Sequence, residues 1–265
     1  MKKSFLNRAY ELDLLRGISV LLMILDHFMF DLWGLLPSLF ADYPRKLMRF
    51  AHNYWYWDVR TVVRVAVVFA FLALTGICCT FSRNNLKRGF KLLLVALGLT
   101  AATYLAGVVI GDSETMIVFG VLHAIAVSLL LIGCLEKLHT NKWIYLALGT
   151  VLCAIAVYIE ATHDVHLVSY SSDQFYVLFG KAVLGTVQIG SDCFALPCTC
   201  GQILIGVFLG KQFYAERKSA FGLQYHREPV AFLGRHSLIV YFAHQVLLPV
   251  LASVVLICMG YTLAL

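Results

Sequence analysis

The chain has 265 residues, 60% of them hydrophobic and 14% charged, with a formal net charge of +6. A mean hydropathy of +0.81 lies far outside the range of soluble globular domains, whose apolar usage is roughly 45–50%. The positive balance is explained by loop charges and anionic lipid headgroups, so it makes no case for nucleic acid.

Apolar runs of about 17–25 residues mark candidate membrane spans. In chain order they fall near 14–36, 62–81, 92–110, 116–135, 143–159, 193–210 and 237–257. An eighth run, 175–190, is broken by Lys181 and two glycines and reads as a short interfacial or re-entrant segment. The expected fold is therefore an all-α integral membrane protein: a polytopic helical bundle of about seven spans plus that segment, with residues 1–265 as one domain. No cleavable leader is expected, because the first span is long and carries Asp and His.

Lysine and arginine in short loops orient the chain. A cytoplasmic N-terminus places Lys2, Lys3, Arg8 and Arg16, then Arg83, Lys87, Arg88 and Lys91, then Lys137 and Lys142, then Lys211, Arg217, Lys218, Arg227 and Arg235 inside. The other side receives Asp112, Glu114, Glu160, Asp164 and Asp173. The loop 37–61 dissents, since it places Arg45, Lys46, Arg49 and Arg60 outside. This loop and 160–192 are the longest connections and are expected to roof an extracytoplasmic pocket. Of the eight cysteines, five sit in apolar runs as small hydrophobes. Cys193, Cys198 and Cys200 cluster near one end of span 6, where a disulfide is open to them on an oxidising side.

The first span poses the functional question, because "LLRGISVLLMILDHFMFDLWGLL" carries Asp26, His27 and Asp31. A charge at the bilayer centre costs about 2.5–3.5 kcal/mol on insertion scales, so such residues usually face the bundle interior and mark function. Arg16 and His27 lie eleven positions apart, within about 20° of one helical face and about 16 Å apart in rise. Asp31 follows one turn later on that face, where it can orient the His27 imidazole. Asp26 points about 100° away and needs a partner elsewhere.

Further ionisable groups lie in "GVLHAIAVSLLL", which holds His123, and "LGRHSLIVYFAHQVLL", which holds Arg235, His236 and His244. Two layers are expected: a cationic inner mouth of Arg16, Arg235 and His236, and a deeper set of His27, Asp31, His123 and His244. His52 stands at the outer mouth. The first layer suits the phosphates of a cytoplasmic ligand such as coenzyme A, and a carboxylate-held histidine suits general-base activation of an amine or hydroxyl attacking a thioester. No metal site is expected. The rival reading is a proton-coupled transporter or glycolipid carrier with an intramembrane His/Asp relay; a haem held by paired histidines is a third.

Taken together, "ELDLLRGISVLLMILDHFMFDL", "FLALTGICCTFSRNNLKRGFKLL", "IVFGVLHAIAVSLLL" and "FLGRHSLIVYFAHQVLL" resemble the small prokaryotic members of the heparan-alpha-glucosaminide N-acetyltransferase catalytic-domain family. The Arg16 to His27 spacing is also similar to the Arg and His motif in the first span of the broader membrane acyltransferases that modify cell-surface glycans. The resemblance implies a multi-pass protein of the cell membrane moving an acetyl group from cytoplasmic acetyl-CoA to a glycan or small-molecule acceptor on the far side, with the lipid bilayer as its setting and homo-oligomers open. It leaves two candidate bases, His27 and His52, and it places cysteines in "SDCFALPCTCGQ" where the family carries aromatics.

Overall fold

The computed structural model describes residues 9–110, 116–163, 175–189, 192–216, 218–221 and 228–264. Asp112, Glu114, Asp164, His166, Asp173, Arg217, His226, Arg227 and the basic residues of 1–8 lie outside the described residues, and so does their share of the expected charge asymmetry. Among the described residues the chain is all-helical: α1 (Tyr10–Phe30), a π-turn (Asp31–Leu35), α2 (Leu36–Leu39), α3 (Arg45–Trp55), α4 (Asp58–Cys79), α5 (Asn85–Ile110), α6 (Val121–Lys137), α7 (Lys142–Thr162), α8 (Phe175–Leu184), α9 (Leu196–Phe213), α10 (Pro229–Arg235) and α11 (Ser237–Cys258).

Among the described residues five helices are long and apolar enough to cross a membrane: Tyr10–Leu39, Asp58–Cys79, Asn85–Val109, Lys142–Thr162 and Ser237–Cys258. The other two expected spans correspond to shorter helices, α6 with 17 residues and α9 with 18. The expected interfacial run is a ten-residue helix, α8. All eight cysteines are free thiols.

The chain divides into two compact units, 1–71 with 218–265, and 72–217. In the first, α1 packs against α10 and α11, and α3 closes over the π-turn. The α1–α10 approach is backbone to backbone. A Cβ on Gly17 would collide with the Val230 carbonyl, and one on Gly234 with the Asp13 carbonyl, so only glycine fits this crossing. The π-turn has a local cause, because Pro37 has no N–H to give the Trp33 carbonyl and the helix is free to widen before it.

Leu32, Leu36, Phe40, Ala51 and Leu256 form the core beneath α3. The far end is tied by a short antiparallel pairing: Ala41 N–H donates to the Thr262 carbonyl at 3.0 Å, Ala264 N–H to the Leu39 carbonyl at 2.9 Å, and Thr262 N–H to Asp42 Oδ1 at 2.8 Å.

In the second unit α9 lies between α6 and α7, and α5 packs on α6. Gly206 lets α9 meet the backbone of α4 at Ala73, and Gly76 returns the approach at Ile203. Small residues (Gly201, Gly206, Gly210) allow backbones to close on α9.

Candidate functional site

His27 and His244 meet across α1 and α11. Their ring centroids are 5.1 Å apart, and His244 Nε2 lies 3.1 Å from His27 Nδ1. The direction of this bond follows from the other end of the pair. His244 Nδ1 is 3.1 Å from the Val240 carbonyl, which can only accept, so Nδ1 carries the proton of a neutral His244. Its Nε2 is then an acceptor, and His27 Nδ1–H donates to it. The proton of neutral His27 is thereby fixed on Nδ1, leaving Nε2 with a lone pair. His244 is 5% exposed, which shields the relay from competing water.

Asp31, the carboxylate expected to orient the ring, is not the partner of this nitrogen. His27 Nδ1 is taken by His244, and Asp31 opens the π-turn, where its backbone N–H caps the His27 and Phe28 carbonyls. Asp26 finds its partner in α4. Arg60 donates Nε to Oδ1 and Nη2 to Oδ2, both at 2.6 Å, and its guanidinium carbon lies 3.8 Å from the centroid of Trp55. Tyr54 reaches Asp26 Oδ1 at 3.5 Å. Arg64 approaches Oδ2 at 3.9 Å.

The sequence alone places Arg60 among the dissenting loop charges and does not mark Arg64. Their spacing of four on an otherwise apolar face was the available signal, together with the partner that Asp26 required.

His52 stands on α3 in a cluster of aromatic rings, 6.0 Å from Trp33 and 4.6 Å from Tyr56, with Trp33 and Trp55 stacked at 5.7 Å. Its ring is exposed. Below it, Tyr43 donates to the Leu32 carbonyl at 2.8 Å, and burial pushes its phenol up to about 12. Burial, and then Asp26, also raise Tyr54 above the ordinary tyrosine range.

Arg16 and Arg235 flank the two glycines of the α1–α10 crossing, Gly17 and Gly234, so the backbone contact sets them at one end of the unit. His236 follows at the end of α10, its ring 4.3 Å from Phe232 and its Nδ1 donating to the Phe232 carbonyl at 3.0 Å. Glu11 and Asp13 are buried at the same end, and Glu11 Oε1 accepts from Ala220 N–H at 2.8 Å.

His123 belongs to the second unit, and its role there is local. Gly120 N–H donates to its Nδ1 at 3.3 Å, and its Nε2 is 3.2 Å from Thr100 Oγ1, which donates to the Ile117 carbonyl at 2.8 Å. Nδ1 accepts, so Nε2 carries the proton. With 4% exposure and both nitrogens engaged, this ring caps α6.

The model of the family described as "Heparan-alpha-glucosaminide N-acetyltransferase, catalytic" matches residues 8–246. The chain belongs to this family. It is thus a member of a family of transmembrane acyltransferases. No curated protein and no solved structure matches it. The matched segment contains α1, α10 and α11 up to Val246, and so holds both histidines of the relay, both flanking arginines and the Asp26–Arg60 pair.

Proposed function

We propose that this protein is a multi-pass acyltransferase of the cell membrane that takes an acetyl group from cytoplasmic acetyl-CoA and delivers it to an amine or hydroxyl of a glycan or small-molecule acceptor on the other side. The observation that carries this reading is the His27–His244 relay, which leaves His27 Nε2 as an oriented base in a chain of this family. In the reaction His27 Nε2 removes the acceptor proton while the acceptor heteroatom attacks the thioester carbonyl. His244 keeps Nδ1–H in place and shares the imidazolium charge. Asp26, held by Arg60, supplies a fixed negative charge beside the ring.

The donor end is the α1–α10 crossing, with the N-terminus cytoplasmic. Arg16 and Arg235, set there by the glycine contact, suit the phosphates of coenzyme A, and His236 lies beside them. Asp31 and His52 line the acceptor side, the latter among Trp33, Trp55 and Tyr56, rings of the kind that stack on sugars. The chain acts as one catalytic domain in the bilayer.

The test is transfer of labelled acetyl from acetyl-CoA to methyl glucosaminide by the detergent-purified protein. Wild type transfers and His27→Ala does not, although it folds. Calorimetry with Arg16→Ala shows weakened acetyl-CoA binding. Full activity in His27→Ala contradicts the assignment of the base; failure of folded wild type to bind acetyl-CoA contradicts the donor.

A further inference from the structure

Asp26 faces two guanidinium groups and neutralises one. Arg60 grips both carboxylate oxygens at 2.6 Å, and only 8% of its side chain is exposed. Arg64, one turn further along α4, brings Nε to 3.9 Å from Oδ2, beyond hydrogen-bond length, and its side chain is 52% exposed. Tyr54 takes a further approach to Oδ1. The cluster therefore holds one carboxylate and two permanent cations, a surplus of one positive charge. It lies six residues into a membrane-length helix, about 9 Å of rise from its start. An unshared charge at such a position is costly, and an anion that arrives beside it recovers the cost.

The surplus sits next to the base. His27 follows Asp26 in the chain, and Asp26 and Arg64 are both within electrostatic reach of its ring. Arg60 is unsuited to a second anion, because its fork is filled by Asp26 and its face lies on Trp55.

We propose that Arg64 is a catalytic residue of acyl transfer, whose guanidinium takes the negative charge that forms on the thioester carbonyl oxygen. This rests on the acyltransferase reading above. The acceptor N–H or O–H gives its proton to His27 Nε2 as its heteroatom bonds to the carbonyl carbon. The carbonyl π pair moves onto oxygen, opposite Arg64. On collapse the C–S bond breaks, the coenzyme A thiolate leaves with the bonding pair and takes the proton from His27, and the acyl group stays on the acceptor. Nothing is oxidised or reduced. Arg60 is then a positioning residue, which anchors the carboxylate that keeps Arg64 at hand. Charge stabilisation aimed at an atom that becomes negative only in the transition state lowers the barrier without strengthening substrate binding.

The experiment compares wild type, Arg64→Gln and Arg64→Lys, purified at full length in detergent, with acetyl-CoA as donor and methyl glucosaminide as the probe acceptor. Arg64→Gln loses about 100-fold in kcat, the scale of one oxyanion donor, with KM for both substrates unchanged, and Arg64→Lys recovers part of the loss. If Arg64→Gln does not fold, Arg64→Lys carries the test through the same split between kcat and KM. An unchanged kcat in the folded variants overturns the proposal and leaves the acyltransferase reading standing. A rise in acceptor KM at constant kcat overturns it too, because Arg64 then binds an anion already present in the ground state. Absence of transfer by folded wild type overturns both.

Discussion

Two histidines, one in each unit, stand in apolar helices and differ in what their nitrogens do. His123 stands in an apolar helix and spends both nitrogens on its own neighbourhood: the Gly120 N–H at 3.3 Å and the Thr100 hydroxyl at 3.2 Å. His27 meets His244 through Nδ1 at 3.1 Å, with a further hydrogen bond to the Met23 backbone, and His244 in turn is fixed by the Val240 carbonyl. The first ring completes a helix start. The second is held by a neighbour and keeps a lone pair, which is the arrangement a base requires. The direction of each hydrogen bond separates the two roles.

The sharpest way to break this contrast is to remove the imidazoles in turn. His27→Ala lowers acetyl transfer by about 10²–10⁴-fold, the usual worth of a general base, while the protein still folds. Asp26→Ala leaves Arg60 buried without its counter-ion and destabilises the fold by about 3–5 kcal/mol, read by unfolding in detergent. His244→Ala releases the tautomer and orientation of His27 and costs about 10- to 100-fold in kcat, as removal of a supporting hydrogen-bond partner does elsewhere.

His123→Ala has the opposite signature. It strands the Gly120 N–H and costs about 1–3 kcal/mol, while activity per folded molecule is kept. Tyr43→Phe removes the bond to the Leu32 carbonyl under the roof of the first unit, a loss of about 1 kcal/mol, visible as a small drop in unfolding midpoint.

Much of the frame was legible because the bilayer imposes long apolar runs: the five membrane-length helices all sit where hydropathy places them. The short helix α10 was not, since "PVAFLGR" merges with the apolar run that follows, and only its packing against Gly17 sets it apart. Asp26 announces that it needs a partner, yet Arg60 looks like a loop charge because α4 begins at Asp58, earlier than its apolar stretch. The pairing joins residues 34 positions apart, and nothing in local periodicity encodes such a contact. The partner of His27 Nδ1 escapes the sequence for the same reason. Helical spacing favours Asp31, but His244 comes from the far end of the chain and takes the nitrogen first.

The most direct measurement of the central claim is the tautomeric state of each histidine in the detergent-purified protein, from isotope-labelled ring nitrogens, with single-histidine variants to assign them. Neutral His27 and His244 are protonated on Nδ1, and His123 on Nε2. A neutral His27 protonated on Nε2 contradicts the account, because the nitrogen assigned to take the acceptor proton already carries one.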